Sequence, residues 1–415
     1  MNEILNKGKQ AKKSSYELVG KTTEQKNAAL KLIAEQLIAD EGFILEENKK
    51  DLEAGEAAGI TSAVLDRIKL DSERIKGISD AIIELTALKD PIGEVFETVE
   101  TADKLLINKT RVPIGVIGMI YEARPNVTID AATLSLKTGN AVVLRGSSSA
   151  IYSNQALIKS LHKALEKSEL PVDAVQLIDD TSRESAKVFF KMDEYLDVLI
   201  PRGSQALIET VVREATVPVI KTGAGNCHAF IDESADEAMA INIVKNGKLQ
   251  RPSVCNAIET ILIDANWFEK SGEKLLSELV SNHVIIHGDA RVCDTFSKAK
   301  LATDENWIKE YLDLEVSVKI VNSYVEAIEH INTYGTGHSE VIITEDQSHA
   351  QAFLQQVDAS AVYHNASTRF TDGGEFGYGA EMGISTQKLH ARGPMGLQAL
   401  TSSKFIITGQ GQIRK

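Results

Sequence analysis

Three cysteines, Cys227, Cys255 and Cys293, are the strongest candidate nucleophiles in this chain. Their odd number and wide separation do not suit a disulfide framework and favour reduced thiols in a reducing compartment. No CxxC pair is present, and the sequence predicts no metal site. The chemistry to expect is therefore that of a thiol.

Cys255 is the cysteine that its surroundings favour most. It lies in GKLQRPSVCNAIETILID, on a short loop between a predicted helix and an apolar strand. At such an element end, backbone N–H groups can lower the pKa of a thiol and stabilise an adjacent oxyanion. A cysteine nucleophile suits acyl chemistry, because the thioester that it forms is still reactive. The alternative is a buried cysteine that only packs, and the residues by themselves leave both open.

The other two cysteines are weaker candidates. Cys227 precedes His228, but neighbours on a strand point to opposite faces, so these two residues cannot form a dyad with each other. Cys293 lies in a predicted helix, and we expect it in the core.

Two polar segments that follow predicted strands could hold phosphate groups. Residues 201–204, PRGS, place backbone amides and Ser204 at the start of a helix. Residues 145–149, RGSSS, offer one arginine and three hydroxyls without a carboxylate, which suits a phosphomonoester. The GxGxxG fingerprint of many dinucleotide-binding proteins is missing. The alternatives are an ordinary capped helix and an ordinary polar loop.

The composition is that of a large, acidic chain. Its 415 residues predict two or three domains. The net charge of −14 argues against a nucleic-acid partner, although a local cluster of basic residues can still bind an anion. No apolar run is long enough to span a bilayer, and the polar N-terminus has no apolar signal core. We therefore expect a cytoplasmic protein without a membrane partner.

The hydrophobic pattern predicts an α/β architecture. About ninety N-terminal residues read as helices, with Thr22 and Gln25 spaced as a capping box. Residues 94–112 alternate like a long hairpin, which is either an oligomer contact or an edge hairpin on its own domain. From Pro113, apolar strands alternate with amphipathic helices, which predicts a doubly wound parallel sheet ending in a strand at residues 217–222.

A second α/β unit begins near His228, after the Gly-rich join at residues 223–226. Residues 363–396 then form a long loop-rich stretch, and loops of that length inside a compact enzyme are usually functional. The chain closes with KFIITGQGQIRK, a short apolar strand that could pair with the hairpin.

Several segments together resemble the gamma-glutamyl phosphate reductases, a family within the aldehyde dehydrogenase superfamily. The resemblance covers nearly the whole chain, and the Cys255 segment and the C-terminal stretch are its most specific parts. The segments are, in order, IGMIYEARPNVTIDA, IPRGSQALIE, KTGAGNCHAFID, QRPSVCNAIETI, GTGHSE, NASTRFTDGGEFG and STQKLHARGPMG.

The resemblance implies an aldehyde dehydrogenase-like fold with two doubly wound parallel-sheet units and a projecting β-hairpin. It implies an NADP-binding domain over residues 1–226 and a catalytic domain over residues 227–388. Residues 389–415 would return to the cofactor domain and end in an oligomerisation strand. The hairpin of residues 94–112 would then be the oligomerisation element of a homo-oligomer.

The resemblance also implies the catalytic groups. Cys255 would be the nucleophile, and Asn126 would donate to the oxyanion together with the backbone N–H of Cys255. Ordinary aldehyde dehydrogenases carry a glutamate that activates water just before the catalytic domain. The matching residues 220–223, IKTG, contain no carboxylate, which suits an acyl-phosphate reductase whose thioester is not hydrolysed.

The implied cofactor is NADP(H). Where NAD-preferring relatives have a lysine and, three residues later, a glutamate, this chain has Arg145 and Ser148, which favours a 2′-phosphate. A glutamate that bonds the nicotinamide ribose should be Glu310 or Glu315. The implied cofactor residues are Arg145, Ser147, Ser148, Gly203, Ser204 and Glu310.

The implied reaction is the reduction of L-glutamyl 5-phosphate to L-glutamate 5-semialdehyde with release of phosphate, the second step of proline biosynthesis from glutamate. Substrate anchors are expected at Asn365, Thr368, Arg369 and Asp372, although some of these could only shape their loop. Functional association with glutamate 5-kinase is a further expectation of the family. The alternatives are a non-phosphorylating aldehyde dehydrogenase and a catalytically inactive scaffold.

Overall fold

The computed structural model describes residues 2–414 and consists of two compact units. Unit 1 comprises Met1–Lys221, Gly377–Gly383 and Met395–Lys415, and unit 2 comprises Thr222–Phe376 and Ile384–Pro394. The helices are α1 (Asn2–Leu18), α2 (Thr23–Ala39), α3 (Glu41–Ala57), α4 (Ser62–Ile68), α5 (Ser72–Ala87), α6 (Pro125–Lys137), α7 (Ile151–Leu165), α8 (Arg183–Phe189), α9 (Gln205–Glu214), α10 (Glu237–Leu249), α11 (Ala265–Trp267), α12 (Glu273–Ser281), α13 (Ala290–Thr295), α14 (Asp304–Ile308), α15 (Tyr324–Tyr334) and α16 (Gln347–Gln356).

The strands are β1 (Val95–Glu100), β2 (Leu106–Pro113), β3 (Val116–Tyr121), β4 (Ala141–Arg145), β5 (Val175–Leu177), β6 (Val198–Arg202), β7 (Cys227–Ile231), β8 (Ile258–Asp264), β9 (Ile285–Gly288), β10 (Lys300–Leu301), β11 (Glu315–Val321), β12 (Ser339–Ile343), β13 (Ala361–His364), β14 (Ile384–Ser385), β15 (Gly393–Pro394) and β16 (Thr401–Thr408).

Unit 1 is built on a four-stranded parallel sheet of order β5-β4-β3-β6. Strands β3 and β4 are buried along their whole length, as continuous apolar runs in a covered parallel sheet should be. Helix α2 begins with the predicted capping box, in which the side chains of Thr22 and Gln25 each bond the other residue's backbone N–H. The predicted parallel sheet and capping box are confirmed.

A separate three-stranded sheet, β1-β2-β16, contains the predicted hairpin. Strand β16 pairs antiparallel with β2, so the predicted pairing of the C-terminal strand with the hairpin is confirmed. All six residues of β1 are exposed, and so is β16 after its first residue. Phe96, Val99, Phe405 and Ile407 are apolar side chains among them.

Unit 2 is built on a seven-stranded parallel sheet of order β10-β9-β11-β8-β7-β12-β13. Its core combines the buried faces of these strands with α10, α12 and α15, and Ile261, Leu275 and Ile328 are representative members. Strands β11 and β13 belong to this sheet but were not predicted. Ser317 interrupts the apolar pattern of β11, yet it is fully buried because Tyr311 bonds its hydroxyl.

Two predictions were wrong. Residues 217–222 form no strand; Val219 makes an isolated bridge with Leu199, because Pro218 has no N–H and the amides of Thr216 and Val217 bond Phe190. Cys293 is half-buried rather than in the core, because α13 is a short helix that buries Val292.

Within residues 2–414, no helix is long and apolar enough to cross a membrane. Over the same residues, His, Cys, Asp and Glu side chains form no group of three or more that could hold a metal ion.

Candidate active site

Cys255 lies in a tight turn between the end of α10 and the start of β8 in unit 2. The turn is closed by a hydrogen bond from Ala257 N to Val254 O at 3.1 Å. The residue is half-buried and forms no disulfide. A thiol is thus held at an element end, at the N-terminal edge of the parallel sheet.

Gly225 packs directly against the main chain of Cys255. A Cβ atom added at Gly225 would lie 1.4 Å from the carbonyl oxygen of Cys255 and 2.8 Å from its Cα. Any larger residue would have to displace the turn that carries Cys255, so this position requires glycine. The Gly-rich join at residues 223–226 therefore also forms one wall of the thiol's surroundings.

Cys227 lies close to the same turn, but its thiol is buried. Its Sγ lies 3.2 Å from the carbonyl oxygen of Cys255, and the side chain is fully buried. Burial, together with the charges of Glu340 and Cys255, raises the pKa of the Cys227 thiol, which keeps it protonated. His228 bonds Glu340 instead, as expected for strand neighbours that point to opposite faces.

Glu310 lies beside the turn that carries Cys255, whereas Glu315 does not. Oε1 of Glu310 accepts a hydrogen bond of 2.7 Å from the backbone N–H of Gly225. Oε2 of Glu315 instead lies 2.7 Å from Nε2 of His287. Burial raises the pKa of Glu310, and the Gly225 amide opposes this shift. Of the two glutamates, Glu310 is therefore the one that lies next to the Cys255 turn.

Arg369 lies on a loop that is bonded to Asn256, the residue after Cys255, and Arg251 precedes Cys255 by four residues. Burial and the neighbouring Arg251 lower the pKa of Arg369, whereas Asp372 and Cys255 raise it. Nε of Arg369 donates a hydrogen bond of 2.9 Å to Oε1 of Gln250, which orients the guanidinium. A guanidinium on a loop that is bonded to the Cys255 turn suits an anionic acyl substrate.

The other predicted substrate anchors bond to the protein itself. Oγ1 of the buried Thr368 donates to the carbonyl oxygen of Asn256 at 2.7 Å. Asn365 adopts a left-handed φ of 55°, and its side chain bonds both the N–H and the C=O of Thr344. Asp372 accepts two backbone amides of the turn that follows it. These contacts order the loop that carries Arg369.

Asn256 is a site residue that sequence reasoning missed. Its Nδ2 donates to the carbonyl oxygens of Thr371, at 2.8 Å, and Arg369, at 3.3 Å. Together with the bond from Thr368, these contacts join the loop of residues 367–372 to the turn that carries Cys255. The available signal was a polar amide directly after Cys255.

Two basic residues of the C-terminal stretch, Lys388 and Arg392, share a local partner. Lys388 Nζ and Arg392 Nη2 both bond the carboxylate of Asp358. These two residues therefore hold the segment Ile384–Pro394 against the end of α16 within unit 2.

In unit 1, the N-terminus of α9 binds an anionic oxygen of the protein. Ser204 caps the helix, and its own N–H donates a hydrogen bond of 2.7 Å to Oε2 of Glu122. A Cβ atom at Gly203 would lie 2.5 Å from the same carboxylate oxygen. The amide at the start of α9 thus holds a carboxylate oxygen, and a cofactor phosphate would need the same amide.

The predicted serines and arginine after β4 differ in exposure. Arg145 is buried, and its guanidinium donates to the carbonyl oxygens of Thr181, at 2.8 Å, and Ser182, at 2.7 Å. Oγ of Ser147 accepts a hydrogen bond from the backbone N–H of Ala123. Ser148 is exposed. Arg145 thus orders the loop at residues 181–182.

Asn126 lies in the first turn of α6, directly after Pro125 at the helix start. Its Nδ2 donates a hydrogen bond of 3.0 Å to Oδ2 of Asp130. Burial raises the pKa of Asp130 to about 6, and the Asn126 bond and the charge of Arg202 oppose the shift. Asn126 belongs to unit 1, and Cys255 belongs to unit 2.

Comparison with known proteins identifies the family of this fold. The family model described as "Aldehyde dehydrogenase family" matches residues 11–311. Gamma-glutamyl phosphate reductase of Oceanobacillus iheyensis is 60% identical over 415 residues, with 100% of both chains covered. The corresponding protein of Bacillus cereus is 58% identical over the same span. A crystal structure of gamma-glutamyl phosphate reductase from Thermotoga maritima has a TM-score of 0.98 at 44% identity, with 100% of both chains covered.

The chain therefore belongs to the aldehyde dehydrogenase family and, within it, to the gamma-glutamyl phosphate reductases. It is an oxidoreductase that uses a nicotinamide cofactor. The predicted family resemblance, fold class and enzyme class are confirmed.

Proposed function

We propose that this protein reduces L-glutamyl 5-phosphate to L-glutamate 5-semialdehyde with NADPH, through a thioester on Cys255. The observation that carries this proposal is the setting of Cys255, whose turn is bonded through Asn256 to the loop that carries Arg369. The segment packed against its main chain, residues 222–226, contains no carboxylate. A thiol beside guanidinium groups suits an anionic acyl donor, and the names of the full-length relatives point to the same substrate.

In the first step, the thiolate of Cys255 attacks the acyl carbon and forms a carbon–sulfur bond. The carbonyl electrons move onto oxygen, where the backbone N–H of Cys255 and Nδ2 of Asn126 would stabilise the oxyanion. Collapse of this intermediate breaks the carbon–oxygen bond to phosphate. Arg251 and Arg369 would hold the anionic groups of the substrate while phosphate leaves.

When bound, NADPH supplies the hydride that reduces the thioester carbon. The same two donors would stabilise the second oxyanion, whose collapse releases the aldehyde and returns Cys255 as a thiolate. A cysteine is a suitable group for both steps, because its thiolate is a good nucleophile and a good leaving group.

The proposed cofactor site includes the start of α9 and the side chain of Glu310. Ser204 and Gly203 at the start of α9 would hold a phosphate, and Glu310 would bond the nicotinamide ribose. The proposed preference for NADP over NAD rests on residues 145–149, RGSSS, which offer hydroxyls and no carboxylate to a 2′-phosphate. Arg145 orders that region through its bonds to the loop at residues 181–182.

We also propose a homo-oligomer that pairs through the sheet β1-β2-β16. Its exposed apolar side chains, Phe96, Val99, Phe405 and Ile407, form a surface that self-association would bury. A reduced Cys255 requires a reducing compartment, which supports the cytoplasm as its location. Because an acyl phosphate is labile, functional association with the glutamate 5-kinase that makes it would protect the substrate.

The proposed reaction is tested best in the reverse direction. Purified protein, glutamate 5-semialdehyde and NADP are mixed with and without inorganic phosphate, and NADPH absorbance is followed. NADPH formation that depends on phosphate is the expected result. Equal rates without phosphate would mean that water is the acyl acceptor, as in a non-phosphorylating aldehyde dehydrogenase. No reaction from folded protein in either mixture would contradict an enzymatic role with this substrate.

A further inference from the structure

A buried ion pair closes the base of the loop that carries Cys255. Lys248 lies in the last turn of α10, and Glu259 lies near the start of β8. Lys248 Nζ and Glu259 Oε2 are 2.7 Å apart, and both side chains are 0% exposed. Since one partner precedes the loop and the other follows it, the pair holds the two ends of the loop together.

The second carboxylate oxygen of Glu259 holds another loop. Its Oε1 accepts a hydrogen bond of 3.2 Å from the backbone N–H of Leu312. Leu312 has a φ of 56°, a left-handed conformation that leucine rarely adopts, so its position depends on such contacts. Leu312 follows Glu310 closely in the chain, and Glu310 bonds Gly225, which packs on Cys255.

Stability by itself does not explain charged side chains in this place. A buried ion pair gains little net free energy, because the loss of hydration offsets the attraction, and apolar residues of similar volume often serve equally well. Burial raises the pKa of Glu259 to about 7 despite the ion pair, and burial lowers the pKa of Lys248. What apolar residues could not do is bond the Leu312 amide and align two loops through one carboxylate.

We infer that Lys248 and Glu259 are positioning residues that set the Cys255 loop and the Glu310 loop relative to each other. The inference rests on the proposed function in taking Cys255 as the nucleophile and Glu310 as a cofactor ligand. Neither Lys248 nor Glu259 touches the reacting atoms in this scheme. They act through the turn of residues 250–257 and through the segment that joins α14 to β11.

Two double variants separate the ion pair from the amide contact. Lys248→Met with Glu259→Leu removes both the charges and the acceptor for Leu312. Lys248→Met with Glu259→Gln removes the charges but keeps an oxygen acceptor. Each is compared with the wild type by thermal unfolding, by the Kd for NADP from calorimetry, and by the rate of iodoacetamide alkylation of Cys255 from mass spectrometry. The half-buried Cys293 is the internal reference thiol.

We expect both variants to be folded, with different losses. The Met/Leu variant should bind NADP about tenfold more weakly than the wild type. Iodoacetamide should alkylate its Cys255 at a rate changed about fivefold, since small misplacements of site groups have large effects. The Met/Gln variant keeps the acceptor for Leu312 and should keep its Kd for NADP within about twofold of the wild type, but its Cys255 alkylation rate should change as in the Met/Leu variant, because the ion pair that closes the Cys255 loop is lost. Wild-type values of the Kd for NADP and of the Cys255 alkylation rate in the Met/Leu variant would overturn the inference and leave the pair a packing feature, whatever its thermal unfolding.

A third variant covers the case in which the Met/Leu protein does not fold. Leu312→Gly relieves the left-handed strain and loosens the Glu310 loop while the ion pair stays in place. It should weaken NADP binding with little effect on alkylation of Cys255, and unchanged binding would contradict the inference. None of these readouts uses glutamyl phosphate. If wild-type Cys255 were no more reactive than Cys293, the proposed function would fail, independently of the variants.

Discussion

Nδ2 of Asn126 donates a hydrogen bond of 3.0 Å to Oδ2 of Asp130, one helical turn further along α6. This bond fixes the rotation of the Asn126 carboxamide, which is the proposed side-chain donor to the oxyanion. We expect Asp130→Ala to lower kcat by about tenfold, because losing an oxyanion donor altogether costs about 10²–10³. Asp130→Asn keeps an oxygen acceptor and should retain most of the activity. Wild-type kcat in the alanine variant would show that Asn126 needs no such support.

Replacing the nucleophile should abolish turnover without affecting cofactor binding. We expect Cys255→Ala to lose all measurable activity, while its Kd for NADPH, followed by fluorescence, stays at the wild-type value. Cys293→Ala is the matched control and should be as active as the wild type. Residual turnover above about a tenth of wild type, or about 1.4 kcal/mol of lost transition-state stabilisation, would rule out the covalent route.

Gly225 is predicted to tolerate no side chain. Gly225→Ala should lower kcat by about tenfold or more and should reduce the free energy of unfolding by about 1–3 kcal/mol, because its Cβ would overlap the carbonyl of Cys255. Gly77→Ala is the control: Gly77 lies in α5 with no atom within 4 Å of an added Cβ. That substitution should leave activity unchanged and raise stability by about 0.5–1 kcal/mol. Urea denaturation and steady-state assays check both variants, and an active Gly225→Ala enzyme would contradict the close approach.

Arg369 is predicted to bind the substrate, whereas Arg392 holds a surface segment through Asp358. Arg369→Gln should raise KM for the aldehyde or for phosphate in the reverse reaction by about tenfold or more, since charge-assisted bonds contribute about 1.5–3 kcal/mol. Arg392→Gln should change KM by less than about twofold. If both variants had a similar KM, the anionic group of the substrate would have to bind at a residue other than Arg369.

Burial of His330 should make the protein sensitive to acid. Its side chain is 4% exposed, and burial, with the charges of His228 and Lys319, lowers its pKa to about 3. The unfolded chain takes up this proton near pH 6.5. Stability from this group is therefore complete above that pH and is lost as pH falls toward 3, by at most about 1.4 kcal/mol per pH unit.

The measurement compares His330→Phe with the wild type by urea denaturation at about pH 7.5 and about pH 5. Phenylalanine can keep the ring contacts with Trp307 and Tyr334, and it binds no proton. We expect the variant to lose less stability than the wild type between the two pH values. His283→Asn, at an exposed histidine, should behave like the wild type. Equal pH dependence in the wild type and His330→Phe would contradict the prediction.

Much of the fold could be predicted because its signals are local. The apolar runs of β3, β4 and β12 and the capping box at Thr22 are written within a few consecutive residues. The pairing of β16 with β2 could be expected because the C-terminal segment is a short apolar strand and residues 94–112 are patterned as a hairpin. Strand β11 was missed because Ser317 reads as a solvent-facing residue until Tyr311 is known to bond it. Burial that depends on a distant partner leaves no local pattern.

In the candidate site, too, local features could be predicted from the sequence, and contacts between distant residues could not. By itself, the sequence determined that a cysteine stands on a short loop before an apolar strand and that no carboxylate occupies residues 220–223. Only the tertiary structure decided that Glu310, rather than Glu315, reaches the segment next to Cys255 and that Gly225 leaves no room there for a side chain. Those outcomes depend on where separate loops meet, because a hydrogen bond between residues far apart in the chain exists only when the whole core has packed.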